Sequence, residues 1–187
     1  MRVKKWTMLS RKEILSYPRM QIVEDTVKLP DGRETEYIRF APCKTHSVAV
    51  IAVNDNNEML LQKEYSYPPN EIMWQLPGGG MKKGEDIRKA ANRELAEESG
   101  LNAKGFENIG YVYTNNRRSD EKQYIVVCRD LVLADAKNDP EEFIENFWLP
   151  IVDVKEMVRC GKFHNINLLA ALNIYFLSYL ADISIHT

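Results

Sequence analysis

The chain has 187 residues, 44% of them hydrophobic and 28% charged, with a formal net charge of -2. That size and apolar content suit one domain with a buried core, and the near balance of charge argues against a broad nucleic-acid surface. Three cysteines (Cys43, Cys128 and Cys160) lie far apart, which excludes zinc or dithiol spacing and fits a reducing compartment. No run approaches the ~18 apolar residues of a membrane span. Met1 to Trp6 is basic but lacks the apolar stretch of a signal peptide. The expected location is the cytoplasm, with neither membrane nor nucleic acid as a partner.

In chain order, Gln21 to Leu29 and Thr35 to Phe40 flank Pro30-Asp31-Gly32 and predict a β-hairpin. Ser47 to Val53 is a continuous apolar run, the pattern of a strand buried on both faces. Asp55-Asn56-Asn57 turns the chain, and Met59 to Gln62 returns as a strand. Tyr65 to Asn70, with two prolines, reads as loop. Trp74-Gln75-Leu76-Pro77 then enters a cluster of three glycines, Gly78 to Gly80. Adjacent glycines cost backbone entropy, so a plain surface turn rarely uses three. A helix is predicted from about Glu85 to Ser99, with Glu85 and Asp86 at the positive end of its dipole and Gly100 as its cap. Strands follow at Asn108 to Tyr113, Gln123 to Cys128 and Phe143 to Leu149. Helices follow at Val152 to Arg159 and Ile166 to Leu180, the last with Leu169, Leu172, Phe176 and Leu180 on one stripe. Strands around a central helix, with helices at the end, predict a mixed sheet sandwiched by helices.

The central helix carries the chemistry. Ile87, Ala91, Glu94 and Glu98 recur at core spacing, so an apolar stripe turns into carboxylates, with Glu97 on its edge. Like charges at this spacing lie ~5–6 Å apart and repel by roughly 3 kcal/mol per pair at an effective dielectric of ~20. With no basic residue on the face of Glu94 itself, a dication bound by hard oxygens would reverse that repulsion. Arg93 sits four residues before Glu97, within helical reach, and can position it. Three glutamates alone fit a solvated acidic face better than a site. The glycine loop at the start of the same helix, which offers backbone groups to a phosphate or metal, favours a site.

Gly79 to Leu101 resembles the Nudix box, G-x5-E-x7-R-E-U-x-E-E-x-G-U with U aliphatic: Gly79, Glu85, Arg93, Glu94, Leu95, Glu97, Glu98, Gly100 and Leu101 fill every specified position. At a few per cent usage per residue type, a chance match is on the order of one in a million. A looser resemblance from Val23 to Tyr175 is to the ADP-ribose and nucleotide-sugar pyrophosphatase branch. It rests on Leu29-Pro30-Asp31-Gly32, on Trp74 to Gly79, and on the tail from Gly161-Lys162 to Leu172.

The resemblance implies an α/β fold, an α/β/α sandwich with a mixed sheet and an N-terminal β-hairpin. It implies residues 1–44 as an extension exchanged in a homodimer and 45–187 as the hydrolase domain. It implies cleavage of a nucleoside diphosphate linked to another group, with Mg2+ or Mn2+ as cofactor. Glu94, Glu98 and Glu97, with the carbonyl of Gly78, then match the metal ligands. Arg93 matches the arginine that orients them, and Glu85 and Gly79 match supporting positions. The general base is either a box glutamate, with Glu97 the candidate, or Glu121 in the later loop.

There are departures. Glu64-Tyr65-Ser66 stands where the branch carries Gln-Tyr-Arg, and Gln75 replaces a glutamate. Asn115 to Arg118 replaces a loop proline. Arg117 and Arg118 are candidates for the missing phosphate contact, and Tyr65 for stacking on a base. ADP-ribose or another nucleotide sugar is the expected substrate. Nucleoside triphosphates or dinucleoside polyphosphates are the alternative, and a non-catalytic nucleotide sensor is the alternative of another class.

Overall fold

A computed structural model describes residues 3–18, 20–135 and 143–179. The chain divides into two compact units: residues up to Lys44 together with Tyr113–Glu121, and Thr45–Val112 together with the segment from Lys122 onward.

The first unit is a three-stranded antiparallel sheet of β1 (Thr7–Tyr17), β2 (Met20–Lys28) and β3 (Glu34–Phe40), in that order. The predicted hairpin is β2–β3, with Lys28 opposite Glu34 and Ile22 opposite Phe40. β1 is an addition to it. Every residue of β1 but one is exposed, so no alternation of polar and apolar residues marks it in the sequence. Arg11 grips the buried Asp25 across β1 and β2, Nη2 to Oδ2 at 2.8 Å.

In the second unit, β4 (Ser47–Ala52) lies between β7 (Gly78–Gly80) and β9 (Lys122–Leu133), with β8 (Leu101–Tyr113) beyond β9. β4 runs parallel to β9 and antiparallel to β7, so this sheet is mixed. A second sheet holds β5 (Glu58–Ser66) between β6 (Glu71–Gln75) and β10 (Glu145–Pro150). The helices are α1 (Ile87–Ser99), α2 (Ile151–Arg159) and α3 (Ile166–Tyr179).

Alternation along the strands builds the layers. Ala49, Ile51, Met59, Leu61, Ile125 and Val127 face the side where Val154 of α2 and Leu168, Ala171 and Leu172 of α3 are buried. Val50, Ala52, Leu60, Val126 and Cys128 face Ala91 and Leu95 of α1. All six residues of β4 are buried, and each fully enclosed valine or isoleucine contributes about 1.5–3 kcal/mol. This is the predicted α/β/α sandwich with a mixed sheet. Among the described residues no helix is long and apolar enough to cross a membrane.

Several boundaries differ from the sequence reading. β8 begins at Leu101, directly after the helix, and β9 runs on to Leu133. The glycine cluster is itself a short strand, held by pairing to β4 and not by side chains. Leu168, Ala171, Leu172 and Tyr175 are the buried face of α3, with Leu169 and Phe176 packed at its margin. Leu180 lies outside the described residues.

Candidate active site

The helix α1 starts two residues later than predicted. Asp86 caps it, its carboxylate accepting the N–H groups of Arg88 (2.9 Å) and Lys89 (3.3 Å). Glu85 therefore stands outside the helix. It accepts the Lys82 N–H at 2.8 Å and the Arg93 Nε at 3.0 Å, tying the glycine loop to the middle of α1. The Arg93 bond, opposed by burial, holds the Glu85 carboxyl down at about 2, well below its ordinary value.

Arg93 is the hub. Its guanidinium also reaches Glu94 Oε1 at 2.7 Å, Glu97 Oε2 at 3.0 Å and the Gly80 carbonyl at 2.9 Å. Hydrogen bonds to Glu85 above all keep it firmly protonated. Here the structure corrects the sequence reading, in which Glu94 had no basic residue on its own face. Neighbours in a helix do not normally face each other, but the arginine stem is long enough to swing its fork back to the preceding loop and catch Glu94 on the way.

Glu94 and Glu98 are both buried, at 8% and 9% exposure. Burial pushes the Glu94 carboxyl above the usual range, with Arg93 opposing. Glu98 accepts the Gly78 N–H at 3.1 Å. A Cβ on Gly79 would stand 2.8 Å from the Glu94 carboxylate, so only glycine lets that group lie against the loop. A Cβ on Gly78 would sit 2.2 Å from the Val48 carbonyl. Among the described residues no three His, Cys, Asp or Glu side chains stand in an arrangement that holds a metal ion, and Glu85, Glu94 and Glu97 turn to the Arg93 guanidinium. The donor set is nevertheless one that suits a hard divalent ion: carboxylate oxygens, two of them buried, against a glycine backbone that leaves no room for a side chain.

The sequence did not reveal what anchors the far end of α1. Asn146 on β10 donates to the Glu98 backbone carbonyl at 2.9 Å and accepts from the fully buried Gln62 at 3.1 Å. A polar residue at position 62, ending the apolar run of β5, was the available signal. Two of the three departures from the branch pattern meet each other, since Gln75 donates a hydrogen bond to Glu64. Trp74 packs edge-on against Phe147 and Phe163, with the Lys63 ammonium 4.7 Å above its ring. Tyr65 is half exposed, its hydroxyl 2.8 Å from Asn70 Oδ1. His46 accepts the Lys122 N–H, as a structural histidine does. Asn165 caps α3, accepting the N–H groups of Asn167 and Leu168.

Arg117, Arg118 and Glu121 belong to the first unit. Tyr37, Arg39, Arg117, Arg118 and Asp120 help to line a cavity of about 300 Å3 there. Arg118 donates to the Ile38 carbonyl, Tyr37 to the Arg117 carbonyl at 2.6 Å, and Arg39 to Asp120 at 2.8 Å. Glu121 is half-buried and accepts from the Thr114 hydroxyl at 3.3 Å.

With the loop, the clamp and the carboxylates in place, a NUDIX domain model matches residues 44–171. The chain belongs to the Nudix family. It is a Nudix hydrolase, a member of a pyrophosphatase family. An ADP-ribose pyrophosphatase of Bacillus subtilis is 28% identical over 153 residues, covering 81% of this chain and 82% of that protein. The ADP compounds hydrolase NudE of Escherichia coli is 24% identical over 161 residues, 86% of each chain. A crystal structure of an ADP compounds hydrolase superposes with a TM-score of 0.88 at 20% identity, over 97% of both chains, which establishes the shared fold.

Proposed function

We propose that this Nudix hydrolase cleaves ADP-ribose or a related nucleotide sugar to a nucleoside monophosphate and a sugar phosphate. The observation that carries the reading is the pair of buried carboxylates, Glu94 and Glu98, pressed against the Gly78–Gly79 backbone and steered by Arg93. The names of the Bacillus subtilis and Escherichia coli relatives support the substrate class.

Glu94, Glu98 and Glu97, with the Gly78 carbonyl, would hold magnesium or manganese. When bound, the ion neutralises the diphosphate and makes a bound water more acidic. The chain's own residues do the rest. Arg93 sets the directions of Glu94 and Glu97, and Glu85 fixes Arg93 to the loop. A carboxylate, Glu97 or Glu121, takes the proton of the attacking water. Arg117 and Arg118 offer positive charge to phosphate, and Tyr65 an aromatic face to the base. Residues 1–44 form the extension through which two copies pair. Exposed Met8, Ile14, Tyr17 and Met20 on that sheet, with Trp6 just before it, support a homodimer.

The test is a panel of nucleoside diphosphate derivatives, nucleoside triphosphates and dinucleoside polyphosphates, incubated with and without magnesium, with products identified. Metal-dependent release of nucleoside monophosphate and sugar phosphate, fastest on a nucleotide sugar, is expected. Preference for a triphosphate would reject the substrate class, and no turnover on any member would favour a nucleotide sensor. Sedimentation reads the dimer.

A further inference from the structure

A second pocket lies beside the glycine loop. Gln75, Gln123, Asn165 and Asn167 help to line it, with the backbone of Gly78 and Gly79 as one wall. The catalytic arrangement does not use these four amides. The pocket measures about 130 Å3.

We infer that this pocket receives the hydroxyl-bearing moiety attached to the nucleoside diphosphate, and that Gln123 and Asn167 determine specificity for it. The inference rests on the proposed cleavage of nucleotide sugars. Three observations carry it.

The first is chemistry. No Lys, Arg, His, Asp or Glu is among the lining residues. Carboxamides both donate and accept, as sugar hydroxyls do. A phosphate would call for cations, and a purely apolar group would strand the amides.

The second is unused hydrogen-bonding capacity. Ser47 and Gln123 are register partners on β4 and β9. Strand alternation puts both on the α3 side, with Ala49, Ile51, Ile125 and Val127. The Ser47 hydroxyl and Gln123 Oε1 are buried without a hydrogen-bond partner among the described residues, and Ser47 is only 8% exposed. Buried polar oxygens are nearly always matched, so Gln123, which lines the pocket beside the buried Ser47, carries acceptor capacity that the described residues leave unused.

The third is size and position. The volume equals that of about four water molecules at ~30 Å3 each, enough for one small ring and too little for a nucleoside. Gly78 and Gly79 are at once a wall of this pocket and the residues against which Glu98 and Glu94 rest. A ring seated here is therefore next to a diphosphate held at those carboxylates.

Gln123→Leu and Asn167→Leu test the inference. The readout is the ratio of kcat/KM for ADP-ribose to that for the ethyl ester of ADP, which keeps the diphosphate and base but lacks the sugar hydroxyls. The ratio should fall at least tenfold in each variant, with thermal midpoints near wild type. Equal losses on both esters, or an unchanged ratio, would overturn it. So would a loss that follows exchange of adenine for guanine and not the sugar. Independently of turnover, the side-chain amide resonances of Gln123, Asn165 and Asn167 should shift with ribose 5-phosphate and not with AMP. Shifts with AMP alone, or none with either, would overturn the assignment. Shifts with ribose 5-phosphate in a protein inert toward every nucleoside diphosphate ester would sink the proposed activity and leave the pocket standing.

Discussion

The carboxylate of Glu94 rests directly on the Cα of Gly79, with no room between them for one methyl group. Gly79→Ala should therefore push Glu94 out of place without straining the backbone, since Gly79 is not among the glycines with positive φ. Displacements of about 1 Å cost on the order of 100-fold in rate. Steady-state kinetics should show that loss for Gly79→Ala. Gly80→Ala, where a Cβ meets nothing within 4 Å, should stay near wild type.

Arg93→Lys keeps the charge and loses the fork. One ammonium cannot span Glu85, Glu94, Glu97 and the Gly80 carbonyl as the guanidinium does. Activity and apparent magnesium affinity should each drop roughly 10–100-fold, with secondary structure unchanged by circular dichroism.

Glu85 gives the fold a pH signature. Its carboxyl is ionised down to about 2 in the fold, against an ordinary 4.5. Its contribution to stability is therefore complete above pH 4.5 and disappears as the pH falls toward 2. The unscreened equivalent of that difference is about 3 kcal/mol, and solvent screening of the Glu85–Arg93 pair lowers it to about 1–2 kcal/mol. In thermal melts without metal, Glu85→Gln should unfold earlier than wild type at pH 7, and the two midpoints should converge across that acid range.

Glu98→Gln removes a charged oxygen from the proposed metal site and should depress kcat by several orders of magnitude while the protein remains folded. Glu121→Gln separates the two candidate bases. A drop of roughly 100-fold or more in kcat, with KM little changed, would assign the proton transfer to Glu121. A mild effect would return it to Glu97.

Burial pushes the Cys128 thiol up to about 12. A thiol reagent at pH 8 should label the exposed Cys160 and spare Cys128 until the protein is unfolded, which mass spectrometry of peptides reads directly.

The parts of this molecule that could be read from sequence are those in which one periodicity dominates. The run of β4, the stripe of α1 and the glycine cluster each have a pattern that burial or backbone geometry enforces. β1 could not be read because its side chains are exposed on both faces and carry no period. β7 could not be read as a strand because three glycines have no strand propensity of their own and pair only because β4 is beside them. Arg93 was assigned to Glu97 from helical spacing. Its grip on Glu85, Glu94 and Gly80 depends on how the loop folds back, which spacing does not encode. The pocket amides come from β6, β9 and the start of α3, and only tertiary structure brings them together.

The two-sided burial of β4 makes the strand a partition between rooms. Val50 belongs to the chamber of the acid helix, and Ile51, one bond along, to the chamber of the terminal helices. Emptying one of these positions loosens the floor under the glutamates, and emptying the other loosens the floor under the amides.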